Sequence, residues 1–158
     1  MKSADVPPLQ ITRIFDAPRS EVFEWWAEAE KLQQWSGCKQ CIESEVEMDF
    51  RVGGGFRQKM KISANGRVCD FLLKGAYEEI VAPERICYLL DMGQQVTRVR
   101  IQFFEEGART RMVLTQDGFA TPESSKIVSQ GTNESLDELN LLLTRSTARA
   151  REAVTELA

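Results

Sequence analysis

The middle of the chain alternates apolar and polar residues, and its two ends carry apolar residues at helical spacing. Residues 42–50 put Ile42, Ser44, Val46, Met48 and Phe50 on one side and Glu43, Glu45, Glu47 and Asp49 on the other. That is the period-two signature of a half-buried strand. Gly53, Gly54 and Gly55 turn the chain. Residues 56–62 then alternate again, with Phe56, Gln58, Met60 and Ile62 opposed to Arg57, Lys59 and Lys61. Folding the two strands so that paired residue numbers sum to 106 sets Asp49 against Arg57, Glu47 against Lys59 and Glu45 against Lys61. Each exposed pair would add roughly 0.2–1 kcal/mol, and a one-residue slip would drive the charges inward.

The same reading extends both ways. Residues 9–18 form a β-branched strand stopped by Pro18, which suits the first position of a helix. Val22, Phe23, Trp26, Ala29, Leu32 and Trp35 follow at helical spacing, best fitted by two short helices near 19–27 and 29–35. Asn65-Gly66 is a hairpin turn. It leads into a strand over 67–80 with Cys69, Phe71, Leu73, Gly75 and Tyr77 on one face. Strands at 84–92, 95–106 and 108–119 follow. The first is apolar. The other two point Thr97, Val99, Ile101 and Phe103, and Thr110, Met112, Leu114 and Gln116, inward. Thr121-Pro122-Glu123 has the cap, first-position proline and early acid of a helix start. That helix carries Ile127, Val128, Gly131, Leu136, Leu139, Leu142 and Leu143 as its apolar side and runs past residue 145.

The order is thus one strand, two short helices, six strands and one long helix. Consecutive hairpins make the sheet antiparallel, and the long amphipathic helix must bury its stripe against it. The expected class is α+β: a helix-grip fold with a curved antiparallel sheet of about seven strands around a long C-terminal helix. Residues 1–8 are expected to be a flexible leader, 9–145 one domain and 146–158 a helical tail, which would serve to pair two copies as a homodimer. A bent sheet and a helix leave packing hard to complete, so an apolar cavity is expected between them.

Composition narrows the chemistry. The chain has 158 residues, 42% apolar and 28% charged, with a formal net charge of −4. That is ordinary for a globular domain and unsuited to nucleic acid or an anionic membrane surface. No apolar run approaches the ~20 residues of a membrane span, and the first ten residues lack a signal-peptide core. A cytoplasmic location with four reduced cysteines is the expectation. There is no histidine. Ser-His-Asp and Cys-His catalysis, histidine-ligated metals and a histidine pH switch are therefore excluded.

Two motifs invite chemistry. Cys38 and Cys41 form a Cys-x-x-Cys pair, but it follows a helix and precedes a strand, so no helix N-terminus lowers a thiol pKa. Free loop thiols are the simplest reading. A reversible disulfide or thiol sensor is the next, and a zinc site would need Cys69 and Cys87 to reach the loop. Gly53-Gly54-Gly55-Phe56 lacks the Lys-Ser/Thr of a phosphate loop and opens a strand. No metal or cofactor is expected.

The segments ITRIFDAPRSEVFEWW…LQQW, EMDFRVGGGFRQKM, GAYEEIVAPERICY, VRIQFFEEGARTRMVLTQDGF and GTNESLDELNLLL, in this order over residues 9–143, resemble the family of the C-terminal domain of the heat-shock protein 90 ATPase activator. That family lies within the START/Bet v 1-like (SRPBCC) superfamily. The resemblance implies the helix-grip fold and a deep apolar pocket. It also implies a range of roles: ligand carriers, cyclases and chaperone partners, with a stress-related function among them. The chain departs from the family where Trp35-Ser36-Gly37 replaces a Trp-Trp-Gly-Pro-like run and where Gly131-Thr132 replaces Gly-Trp.

The expected pocket lining is Phe23, Trp26, Trp35, Met48, Phe56, Met60, Phe71, Tyr77, Val99, Ile101, Phe103, Met112, Gln116, Gly131 and Leu139. Tyr77 and Gln116 would supply polar contacts. Three functions follow. The first is binding of a small apolar or amphipathic molecule, gated by the long helix and the 35–41 loop. The second is docking of a chaperone or regulatory protein on the charged outer face. The third is a cavity enzyme of cyclase, dehydratase or hydrolase type, in which a carboxylate or Tyr77 would serve as acid or base.

Overall fold

The computed structural model of the chain describes residues 6–37 and 39–157, with side chains as far as Ser146. Strand β1 (Leu9–Phe15) is followed by helices α1 (Arg19–Ala27) and α2 (Ala29–Trp35). Strands β2 (Cys41–Met48), β3 (Gly55–Ala64), β4 (Arg67–Val81), β5 (Arg85–Asp91), β6 (Val96–Glu106) and β7 (Arg109–Asp117) then run as hairpins into helix α3 (Pro122–Leu157). The seven strands form one antiparallel sheet in the order β1-β7-β6-β5-β4-β3-β2. It curls as a half-barrel around the helical side, giving an α+β helix-grip arrangement.

Local chemistry explains the boundaries. Pro18 is the cap residue rather than the first helical residue, and it carries no side-chain cap bond. Its carbonyl accepts the first intrahelical bonds, from Glu21 and Val22. Glu28 is extended between α1 and α2, so the two helices are separate. Asn65 and Gly66 both have positive φ, the geometry that matches a two-residue hairpin to strand twist. Thr121 Oγ1 accepts the Ser124 N–H at 3.1 Å and caps α3.

One expectation needs correcting. The β2–β3 hairpin pairs Glu43 with Lys61, Glu45 with Lys59, and Glu47 with Arg57, so paired numbers sum to 104, not 106. The faces are unchanged, but each carboxylate meets a base two residues earlier. The turn is tighter than the three glycines suggest. Asp49 N–H bonds Gly55 O at 2.9 Å, and Gly55 belongs to β3. Gly54 allows this closure, because a Cβ there would lie 2.1 Å from Asp49 O. Asp49 instead pairs with Arg51 at 2.7 Å.

The core lies between the sheet and the helices. Val99, Ile101, Phe103 and Met112 on β6 and β7 are at most 2% exposed, as are Leu136, Leu139 and Leu143 of α3. Burying such side chains is worth roughly 1.5–3 kcal/mol each. Ile127, placed on the apolar stripe by spacing, is 72% exposed, and the fully buried part of the α3 stripe starts at Leu136. Val6, inside the expected leader, is buried. Arg13 of β1 reaches α3, donating to Asp137 at 2.7 Å and to Asn133 Oδ1 at 2.9 Å.

Candidate functional site

The inner face of the sheet carries a continuous network of rings. Trp35 meets Trp26 at 4.7 Å between centroids, Trp26 meets Phe103 at 5.2 Å, and Phe103 meets Phe23 at 5.6 Å. Phe23 meets Phe50 at 5.8 Å, and Phe50 meets Tyr77 at 5.0 Å. Tyr77 then joins Phe56 at 5.4 Å and Tyr88 at 6.0 Å. Most pairs stand edge to face, the arrangement ring quadrupoles favour. The network begins on α1 and α2 and ends on β3, β4 and β5. The Trp35 indole N–H donates to Trp25 O at 3.0 Å, which leaves no unsatisfied donor at its buried start.

Of the fifteen residues expected to line a pocket, Phe23, Trp26, Trp35, Phe56, Tyr77, Val99, Ile101, Phe103, Met112 and Leu139 fall in one packed apolar cluster, with Met48 packed against it. Met60 is buried on the inner face of β3, and Gly131 is half-buried on α3. Gln116 donates to Thr97 Oγ1 at 2.9 Å, and both residues are buried, so its amide proton is already held within the fold. Phe71 differs. It pairs with Met60 on the inner face of β4, yet it is 51% exposed. Cys69 beside it is exposed, and Ile62 and Leu73 are half-buried. The inner face is therefore sealed at β6–β7 and open at β3–β4.

Two phenols lie deeper on the same face, six residues along β4 from Phe71 and against the packed cluster. Register sets Tyr77 opposite Tyr88, and neither hydroxyl has a hydrogen-bond partner among the described residues. Burial pushes both phenols well above their ordinary range, with Tyr88 adding to the effect at Tyr77 and Cys87 at Tyr88. Both are neutral donors at physiological pH. Tyr88 was not anticipated. The stretch 84–92 is apolar at odd and even positions alike, so alternation could not assign its faces; only the pairing register does.

Polar contacts tie α2 and the segment after it to the sheet and to α3. Gln58 Nε2 donates to Ser36 Oγ at 2.8 Å and to Ser44 Oγ at 3.0 Å, tying the end of α2 to β2 and β3. Ser135 Oγ of α3 accepts the Gly37 N–H at 3.1 Å. The segment after Trp35 is thus anchored to α3. Cys38, the first half of the Cys-x-x-Cys pair, lies outside the described residues. Cys87 sits on the outer face of β5 opposite Arg100, and Cys69 lies on the inner face of β4, so the two do not converge on the loop. Burial raises the Cys87 thiol pKa.

Two surface depressions complete the description. One, of about 680 Å³, lies over Glu43, Glu45, Lys59, Lys61, Asp70 and Leu72, the outer ladder of β2, β3 and β4, and also touches Met60 and Phe71. The other, of about 630 Å³, lies between the end of α2, the start of β2 and α3. Among the described residues no helix is long and apolar enough to cross a membrane.

Residues 16–144 match the family described as Activator of Hsp90 ATPase homolog 1-like protein, well over half of the chain. The chain belongs to that family. Its fold is shared by solved structures of low sequence identity. A protein from Chromobacterium violaceum is 21% identical with a TM-score of 0.73, covering 86% of this chain and 96% of its own. A putative uncharacterized protein from Rhizobium leguminosarum is 27% identical with a TM-score of 0.68, covering 88% and 95%. CalU16 from Micromonospora echinospora is 20% identical with a TM-score of 0.66, covering 95% and 84%. No curated protein matches the chain.

Proposed function

We propose that the chain binds a small apolar or amphipathic molecule at the open β3–β4 end of its inner face. The observation that carries this is Phe71: a large apolar side chain on the concave side of a gripping sheet, half exposed to water. Solvent-exposed apolar surface in a concavity favours a ligand that removes it from water, by roughly 25 cal/mol for each Å² covered. Met60, Leu73 and Phe71 would hold the hydrocarbon part. The hydroxyls of Tyr77 and Tyr88, without a hydrogen-bond partner among the described residues, would bond a polar end that reaches deeper along β4. The deeper residues, from Trp35 through Phe103 to Met112, then act as the rigid wall rather than the contact surface. The superfamily fold commonly takes hydrophobic ligands, which agrees with this reading.

The test is native mass spectrometry with fatty acids and planar aromatic compounds, paired with displacement of an anilinonaphthalene dye. Saturable uptake that Phe71→Asp weakens at least tenfold supports the reading. Absence of uptake across the panel, or uptake indifferent to Phe71→Asp, rejects it.

A second reading, docking of a chaperone or regulator on the outer face, is favoured by the depression over the Glu43, Glu45, Lys59 and Lys61 ladder. Exchanging the paired Glu45 and Lys59 (Glu45→Lys with Lys59→Glu) would preserve the pair and reverse the pattern a partner reads.

A further inference from the structure

The β2 edge of the sheet bears a feature that neither ligand binding nor the outer ladder uses. Among the described residues β2 pairs with no strand but β3, so its other side is an edge of the sheet, beside α2. Asp49, just past its end, turns its N–H toward Gly55 of β3, whereas Val46 turns its N–H away and donates to Gln33 Oε1 of α2 at 3.1 Å. Strand alternation then points the Ser44 N–H and carbonyl away from β3 as well. Ser44 borders the depression of about 630 Å³, whose far wall is α3. Gln33 already occupies one place in the ladder that a further strand would make.

The surroundings state what such a strand would carry. Ile42 is 58% exposed because a bulge between Cys41 and Glu43 leaves it without a partner on β3. Leu141 of α3 faces the same depression and is 51% exposed. Glu43, Glu134, Asp137 and Glu138 border it against one base, Lys39. Asp137 is engaged by Arg13 at 2.7 Å. Glu134 receives only the Lys39 backbone N–H at 3.4 Å, and Glu43 is 3.7 Å from Lys61. Glu138 has no ion-pair partner among the described residues. A second copy of this chain does not fit, since antiparallel pairing of two β2 edges would bring Glu43, Glu45 and Glu47 against their own copies.

From this geometry we infer that the β2 edge docks an extended, basic segment of a partner protein, which adds a strand at Ser44. Its Lys or Arg side chains would meet Glu43, Glu134 and Glu138, and an aliphatic side chain would meet Ile42 and Leu141. Main-chain bonds supply affinity in this mode and alternate side chains supply selectivity. The acidic edge that discourages self-pairing thereby selects its guest.

The test uses a fluorescein-labelled peptide, Lys-Val-Lys-Ile-Lys-Val-Lys, measured by anisotropy against the whole chain. The expected result is saturable binding that weakens at least tenfold in the double variant Glu134→Lys with Glu138→Lys. Those two residues lie on the α3 surface bordering the groove, so thermal melting should be unchanged. Replacing the central Ile of the peptide by Pro should abolish binding, because Pro has no N–H for the ladder. Amide exchange at Ser44 should slow when the unmodified peptide is added. Equal binding of the Pro peptide would reduce the effect to charge alone and overturn the proposal. So would an unchanged Ser44 exchange rate, an unaffected double variant, or no saturable binding.

Discussion

Gly75→Ala is a one-methyl change with a large expected cost. Gly75 lies opposite Phe56 on the inner face, and a Cβ there would stand 2.1 Å from Phe56 Cε1, 2.3 Å from Phe56 Cζ and 2.6 Å from Leu89 O. The ring cannot simply swing aside, since it packs against Tyr77 at 5.4 Å and Tyr88 at 5.3 Å. Leu89 O is main chain and holds its place in the sheet. Overpacking of this kind costs about 1–3 kcal/mol. The stiffer unfolded chain of the alanine variant returns about 0.4–1 kcal/mol. The upper end of the overpacking range applies, because two of the three contacts are with a confined ring and the third with backbone. A net loss of about 2 kcal/mol is expected, or a Tm lower by roughly 4–8 °C for a chain of this size. Urea unfolding would measure it, with Phe56→Leu alone and the double variant closing a cycle. Shortening the ring makes room for the methyl group, so the double variant should be more stable than the sum of the single losses predicts, by at least ~0.5 kcal/mol. If Gly75→Ala is as stable as the parent, or the two changes simply add, the reasoning about this contact is wrong.

Three further outcomes are expected. Arg13→Ala should destabilise by about 1–3 kcal/mol in urea melts, because it removes the bonds from β1 to Asp137 and Asn133 that hold α3. Ser135→Ala should cost about 1 kcal/mol, and amide exchange at Gly37 should quicken, since the Gly37 N–H loses its acceptor. For Tyr77 and Tyr88 the folded pKa lies above the unfolded value near 10. Their contribution is therefore complete below pH 10 and declines as pH rises beyond it, by up to ~1.4 kcal/mol per pH unit for each group. Urea melts from pH 8 to 11 should show this decline, and Tyr77→Phe with Tyr88→Phe should flatten it; identical slopes would contradict the assignment.

Patterning along the chain carried the element order because most strands are two-faced. On β6 and β7, Thr97, Val99, Ile101, Phe103, Thr110, Met112, Leu114 and Gln116 all point inward as their alternation requires. Where both faces are apolar, as from Ile86 to Leu90, the signal vanished, and Tyr88 was missed with it. Register was legible to within two residues on β2 and β3. Charge complementarity is satisfied equally by sums of 104 and 106, and the choice rests on how tightly the chain closes at Gly54. Exposure was the least legible property. Phe71 and Met60 are neighbours of the same apolar character, but one is half exposed and the other buried. What separates them is which part of the inner face the rest of the fold covers, a tertiary fact with no trace in local spacing. Likewise Ile127 satisfies the helical stripe yet meets no core.

The strand order has a consequence for synthesis on the ribosome. Six strands join their sequence neighbours and can zip up as they emerge, but β1 pairs with β7 across roughly the first hundred residues of the chain, Leu9 opposite Gln116. Closing so long a loop is slow. Until the last hairpin is made, the opening strand has no place in the sheet, and until β6 has emerged Trp26 of α1 lacks Phe103 as a neighbour. The nascent chain therefore passes through a stage in which part of its ring network is bare, and that interval is when it is most open to aggregation.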